Sequence, residues 1–322
     1  MKLLRTLTLA AAVLAATAVG LPAQESPLQL FPDDTLIIVS VDLARIMELL
    51  PAEMAQEIRE GNIENVGFDF TARVDTMLIG IGDLRNPRNA YAVLSGDFSI
   101  AEVTSILAAE GKLFEEVQIG SLSAVRIYDP EDEEGEDDAE GEDDPESEDG
   151  YLAAIGSGTF VAGSRDGLET YEQVRTGQLA NATANQMLVG AMVDVDPGGF
   201  FFLAGVVPEQ ARSMLVSQAP EMAELQYFSL SASHEAESLD YRVVLGAGDP
   251  EALPVIQEKV AEQFAMLRMM DASGALGEVI DGMEYSTAGN KLMITGSIAD
   301  STLVTLFEQF SNMIGMRGGV ER

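Results

Sequence analysis

The chain has 322 residues, 47% of them hydrophobic, enough for one large core or two ordinary ones. It contains no Cys and a single His, which excludes disulfides, a Cys nucleophile, thiolate metal sites, a cysteine-linked lipid anchor and a multi-histidine metal centre. A formal net charge of −36 argues against nucleic acid as a partner, because phosphate is repelled, and disfavours an anionic membrane surface.

Residues Met1–Ala23 read as a signal peptide. Lys2 and Arg5 give a basic start, Leu7–Val19 is an apolar run too short to span a bilayer, and small residues at Ala18, Gly20 and Ala23 suit cleavage. No later stretch has the length and apolarity of a membrane span. Export without cysteines fits a periplasmic or secreted envelope protein that relies on its core.

Gln24–Pro32 reads as a short polar lead-in. Thr35–Met54 then sets a pattern. Leu36–Val41 is an apolar, β-branched run expected as a strand, and from Asp42 the period becomes helical through Leu43, Ile46, Met47 and Leu50. Pro51 ends that helix or opens a second turn. Met77–Ile81 and Tyr91–Leu94 are expected strands joined through the turn-rich Asp83–Asn89, and Asp97 or Ser99 caps a helix bearing Ile100, Val103, Ile106 and Leu107. Ser123–Tyr128 is a further strand, which completes a β-α-β-β-α-β order.

The run Asp129–Asp149 interrupts this. Fifteen of its 21 residues are Asp or Glu and none is basic, so mutual repulsion and the lack of apolar side chains predict an extended, disordered insertion. Tyr151–Ile155 and Thr159–Gly163 are expected as a hairpin across Gly156–Gly158, followed by a helix over Ser164–Thr176 with Leu168, Tyr171 and Val174 on one face.

Residues 178–198 connect to a second half with a similar order. Phe200–Val206 is a strand, and Pro208 opens a helix. Gln226–Ser233 and Leu239–Gly246 form a hairpin, and Asp249-Pro250 starts a long helix. Met283–Thr287 and Leu292–Ser297 pair across Gly289-Asn290, and Asp300 caps a last helix. Ile155–Ser164 aligns without a gap on Ala288–Ser297, and Tyr91–Asp97 aligns on Tyr241–Asp249 with a slip of two. The reading is an α+β protein of two tandem repeats, 24–177 and 199–317 with a tail at 318–322, mainly antiparallel sheet with helices on one face.

Candidate functional residues are sparse. Asp42, Asp97, Asp166, Asp249 and Asp300 recur at strand–helix junctions, where several carboxylates at one sheet edge would attract a cation. N-capping, at about 1 kcal/mol each, accounts for every one of them. His234 lies before the turn Glu235–Ser238 with no assignable nucleophile, and reads as a solvated or ion-paired histidine. Within the acidic run, Asp132, Glu136, Asp137, Asp138, Asp143 and Asp144 are diffuse candidates for loose Ca²⁺ binding, although the EF-hand spacing fails in every register. Asn181-Ala-Thr183 matches a glycosylation sequon, relevant only in a eukaryotic secretory host. Nucleophile-elbow, phosphate-loop, dinucleotide and zinc-protease motifs are absent.

The segment Phe31-Pro-Asp-Asp-Thr35 running into the strand Leu36–Val41, with the later Gly156–Ser164 run, resembles a group of exported bacterial proteins of unknown function. The resemblance implies no activity, cofactor or site residue. The functional expectation is an exported, non-catalytic envelope or extracellular binding protein. The alternatives are a Ca²⁺-responsive protein acting through its acidic insertion and a carboxylate-pair hydrolase. N-terminal sequencing of exported protein should find a first residue between Leu21 and Glu25, and an intact Met1 would instead mean an uncleaved anchor.

Overall fold

The computed structural model describes residues 26–66, 69–82, 90–109, 111–128, 149–196, 199–217, 219–270 and 274–306. The chain divides into two compact units, Met1–Val189 with Phe200–Leu203, and Gly190–Gly199 with Ala204–Arg322. The fold class is α+β with antiparallel sheet.

In the first unit β1 (Ile37–Asp42) grows from the β-branched run and hands over to α1 (Leu43–Leu49) at Asp42. The Asp42 carboxylate accepts from the Arg45 N–H at 2.9 Å, the cap expected from the sequence. Pro51 separates α1 from α2 (Ala52–Val66). The strands β2 (Val74–Ile81), β3 (Tyr91–Gly96), β4 (Leu113–Ile119), β5 (Leu122–Tyr128), β6 (Gly150–Gly156) and β7 (Thr159–Gly163) follow, with α3 (Ile100–Ala109) after β3 and α4 (Arg165–Arg175) after β7. Their hydrogen-bonded order is β1-β2-β3-β7-β6-β5-β4, all antiparallel. Sequence periodicity misses β4, because Leu113-Phe-Glu-Glu-Val-Gln-Ile119 is an edge strand with mostly solvated side chains and weak alternation.

Helices do not share one face of this sheet, contrary to expectation. Strand register puts Leu94, Phe160, Ala162 and Leu152 on one face, where Val103 and Leu107 of α3 pack. Tyr91, three residues before Leu94, points the other way and meets Tyr171 of α4 edge-on at 5.6 Å. Both faces of β3 and β7 are apolar, so each recruits its own helix.

The lead-in is not polar packing material either. Leu28, Leu30 and Phe31 are buried, and the Phe31 ring fills the space where a side chain on Gly80 would stand. The same ring lies 5.2 Å from that of Tyr91, whose hydroxyl donates to the Leu30 carbonyl at 2.5 Å.

The connecting segment carries a short helix, α5 (Gln186–Val193). The strand β8 (Phe201–Val206) begins in the first unit, where Phe200 accepts from the Asp42 N–H at 3.3 Å. It ends in the second, where the Val207 N–H donates to Gln226 at 2.8 Å.

The second unit adds α6 (Glu209–Leu215), β9 (Leu225–Glu235), β10 (Ser238–Ala247), α7 (Leu253–Met270), α8 (Ala275–Asp281), β11 (Glu284–Ala288) and β12 (Lys291–Ala299). A last helix opens at residue 300. The order is β9-β10-β12-β11. Asp249 caps a short 3-10 turn, Pro250–Ala252, that leads into α7, so Pro254 falls in the first turn where its missing N–H is harmless. Leu253 and Ile256, with Val260 and Phe264 beside them, pack on Leu292 and Ile294. The helix α8 carries no capping side chain and is not signalled in the sequence.

The two units share a register. Tyr91, Ala92, Val93 and Leu94 face Gly163, Ala162, Val161 and Phe160, while Tyr241, Arg242, Val243 and Val244 face Gly296, Thr295, Ile294 and Met293. These are the residues that the sequence alignment sets against one another. In both units the tyrosine lies so close to its facing glycine that an added Cβ would crowd it.

The acidic insertion joins β5 to β6, and its body lies outside the described residues. Its final residue is described, and it has a partner: the Asp149 carboxylate accepts from Arg126 Nε at 2.6 Å, and Arg126 also reaches Glu115 at 2.9 Å. Replacing residues 129–148 by a short Gly-Ser turn should therefore leave a folded protein. Its melting midpoint at low ionic strength should equal or exceed the parent's, a difference that added NaCl shrinks. Removing Asp149 as well should cost about 1 kcal/mol, the worth of such a pair. Melting curves of the two deletions decide this, and a marked loss in the variant that keeps Asp149 would refute it.

Candidate functional site

The described part of the first unit holds a groove of about 420 Å³ alongside α3. It is built from the start of that helix. Ser99 is the N-cap: its hydroxyl accepts from the Glu102 N–H at 3.2 Å and donates to the Glu102 carboxylate at 2.9 Å. Phe98 precedes the cap, and Val103 is four residues beyond it, the spacing of a hydrophobic staple. The Phe98 ring stacks on Phe160 with centroids 3.9 Å apart and joins the cluster around Val103 and Leu107.

One helix therefore presents an apolar strip to the sheet and a mixed one to the groove. Val103 and Leu107 are buried against the sheet, while Ala101, Ser105 and Ile106 face the groove with Phe98 at its end. Arg73 closes the wall from the start of β2. The Asp97 N–H donates to the Arg73 carbonyl at 3.0 Å, which ties the two chain segments together at this point. The Arg73 guanidinium reaches the Asp97 carbonyl at 3.4 Å.

Buried carboxylates elsewhere are occupied. Among the described residues these are Asp42, Glu172 and Asp194. Burial pushes the Asp42 carboxyl up, against the pull of the Arg45 N–H it caps. Glu172 takes two hydrogen bonds from Arg175, at 2.7 and 2.9 Å, and two from Ser121, at 2.6 and 3.1 Å. The Arg175 guanidinium chiefly, with Ser121 adding to it, holds that carboxyl down at about 2. In the second unit Asp194 accepts from Lys291 at 2.7 Å and, weakly, from Tyr227 at 3.5 Å. These are structural clasps, each turned toward a cap or a cation.

The residues singled out from sequence are mostly not brought together. Asp42 and Asp249 cap as expected. Asp97 and Asp166 do not: Ser99 and Ser164 take those positions, the latter accepting from the Gly167 N–H at 3.1 Å. In each case the serine, not the aspartate two residues away, stands immediately before the first residue of the helix. Asp300 meets His234, Nε2 to Oδ1 at 2.9 Å, a hydrogen bond between the two side chains. The calcium candidates Asp132, Glu136, Asp137, Asp138, Asp143 and Asp144 lie outside the described residues. Among the described residues no group of three or more metal-ligating side chains is gathered, and no helix is long and apolar enough to cross a membrane.

Sequence reasoning missed the groove. Its signal was present as Phe98-Ser-x-x-Glu102-Val103, which fixes an aromatic at a helix start, but nothing in the sequence places Arg73 beside it.

No protein-family model and no curated protein matches the chain. Among solved structures it is similar to TP0453. It is 11% identical to crystal form III over 89% of this chain and 100% of that one, with a TM-score of 0.48. It is 12% identical to crystal form I over 89% and 98%, with a TM-score of 0.46.

The Glu172 clasp carries a pH signature. A carboxyl lowered from an ordinary 4.5 to about 2 stabilises the folded state fully above 4.5, and that contribution disappears as pH falls toward 2. A Glu172→Gln variant should be less stable than the parent at pH 7, with the gap closing between pH 4.5 and 2. Urea melts across that range test it, and a gap independent of pH would assign the effect to packing.

Proposed function

We propose that this is an exported, non-catalytic binding protein whose ligand seats in the groove along α3. The observation that carries the reading is a small-ligand-sized concavity of about 420 Å³, walled by Phe98, Ala101 and Ile106, on a helix whose start is fixed by the Ser99 cap. His234 is hydrogen-bonded to Asp300, and the buried carboxylates among the described residues are held by caps and cations, so those groups are engaged within the fold. Export rests on the amino-terminal signal pattern.

We infer as well that the two units are copies of one duplicated unit. The support is their common strand order and the matched pairing of Tyr91 with Gly163 and Tyr241 with Gly296, which unrelated sheets have no reason to share. The hairpin β4–β5 and the acidic run are then additions to the first copy.

Titrating the full-length protein with the neutral fluorescent probe N-phenyl-1-naphthylamine should show saturable binding at one site. Ile106→Glu should weaken it tenfold or more, with the melting midpoint little changed because that side chain faces the groove. Binding that survives the substitution would remove the groove as the site.

A further inference from the structure

The core-facing strip of α7 loses its cover before the helix ends. That strip runs Leu253, Ile256, Val260, Phe264 and Leu267, at intervals of three and four. Leu253 and Ile256 are buried, Val260 and Phe264 are half-buried, and Leu267 is exposed. From Ala261 to Met269 every residue but Phe264 is exposed. The end of the helix is nevertheless held in place, because the Arg268 guanidinium donates twice to the Asp281 carboxylate of α8, at 2.5 and 2.8 Å.

Two of the uncovered side chains are thioethers three residues apart, Met266 at 50% and Met269 at 80% exposure. Helix α6 adds a third, Met214, at 66%. Met47, Met77 and Met222 are 9%, 4% and 6% exposed. The chain has no Cys and no Trp. An oxidant that meets this protein therefore finds no thiol to react first. It is left with thioethers, and access selects among them.

We propose that the uncovered end of α7, together with Met214 of α6, is a site of reversible methionine oxidation by peroxides. A lone pair on Met269 Sδ attacks one peroxide oxygen, and the S–O bond forms as the O–O bond breaks. Sulfur gives up two electrons, the leaving hydroxide takes the proton of the transferred hydroxyl, and water departs. The product is a polar sulfoxide. At Met222, packed in the cluster with Leu253 and Ile256, that oxygen would be buried among apolar groups. At Met269 it stands in water. The protein takes up oxidant at these exposed sulfurs and keeps its fold. The same exposure opens the sulfoxide to a reductase, where a dithiol supplies two electrons and two protons and water leaves again.

The test is to treat the full-length protein with hydrogen peroxide and follow sulfoxide at each methionine by peptide mass mapping. Met269 should react within about threefold of the rate of free N-acetylmethionine amide, with Met214 and Met266 next. Met47, Met77 and Met222 should be at least tenfold slower than Met269. With the three exposed sulfurs converted and the buried ones intact, the melting midpoint should stay within about two degrees of the untreated protein. Methionine sulfoxide reductases of the two stereospecificities, with dithiothreitol, should return all three to thioethers without unfolding the chain. A Met266→Leu, Met269→Leu variant should lose those two signals and leave the rates at Met214 and Met222 unchanged. If Met269 reacts no faster than Met222, the end of α7 is covered in solution and the site is wrong. A midpoint that drops by many degrees would make these sulfurs structural, and sulfoxides that the reductases leave in place would remove the reversibility.

Discussion

The first unit depends on one close contact, the ring of Phe31 laid against the bare backbone of Gly80. Only glycine leaves room there, and only an aromatic of this size fills it. From that contact the packing runs outward without a break. Phe31 tilts against Tyr91, Tyr91 meets Tyr171 edge-on, and its hydroxyl satisfies the Leu30 carbonyl. Burial pushes the Tyr91 phenol up, so it stays a neutral donor to that carbonyl. The Phe31 carbonyl in turn accepts from the Ala182 N–H at 2.7 Å, and Asn185 reaches the Thr35 carbonyl at 3.2 Å. A segment of a few residues before the first strand thereby links β2, β3, α4 and the start of the connecting region.

Much of this architecture is legible in the sequence, for reasons that differ by element. β1 and α1 read cleanly because a β-branched run changes to a helical period at a capping aspartate, and local preference and burial agree there. α4 reads cleanly because Leu168, Tyr171 and Val174 all face the core. Edge strand β4 does not, because half its side chains are solvated and its pairing is dictated by β5. The placement of helices on opposite faces of the first sheet was hidden for a related reason. In β3 and β7 successive residues are apolar, and such runs do not say which side a following helix will take. The lead-in was misread as polar because its composition is mixed, and only the tertiary contact with Gly80 reveals Phe31 as core.

The groove sits at the boundary of what sequence can convey. Phe98, Ser99, Glu102 and Val103 form a local device whose parts lie within one helical turn, and such devices are readable. Arg73 reaches the same place by strand pairing, through a backbone hydrogen bond between residues 24 apart, and that proximity is a property of the sheet. One residue here serves two ends. Phe98 is needed to set the entry angle of α3 and, by the same position, forms a wall of the concavity. The groove is consequently as rigid as the helix start that makes it, which favours a preformed site over one assembled on binding.

The way the acidic run is attached has a further consequence. It leaves the sheet after Tyr128 and returns at Asp149 and Gly150, and Ile127 and Gly150 are direct cross-strand partners. The two ends of the insertion are thus held together by strands that pair without its help. Closing a loop between fixed ends depends only logarithmically on its length, so doubling it adds about 0.6 kcal/mol. This hairpin is therefore a port: a reporter domain, an affinity tag or a fluorophore-bearing peptide can be spliced there at little thermodynamic expense.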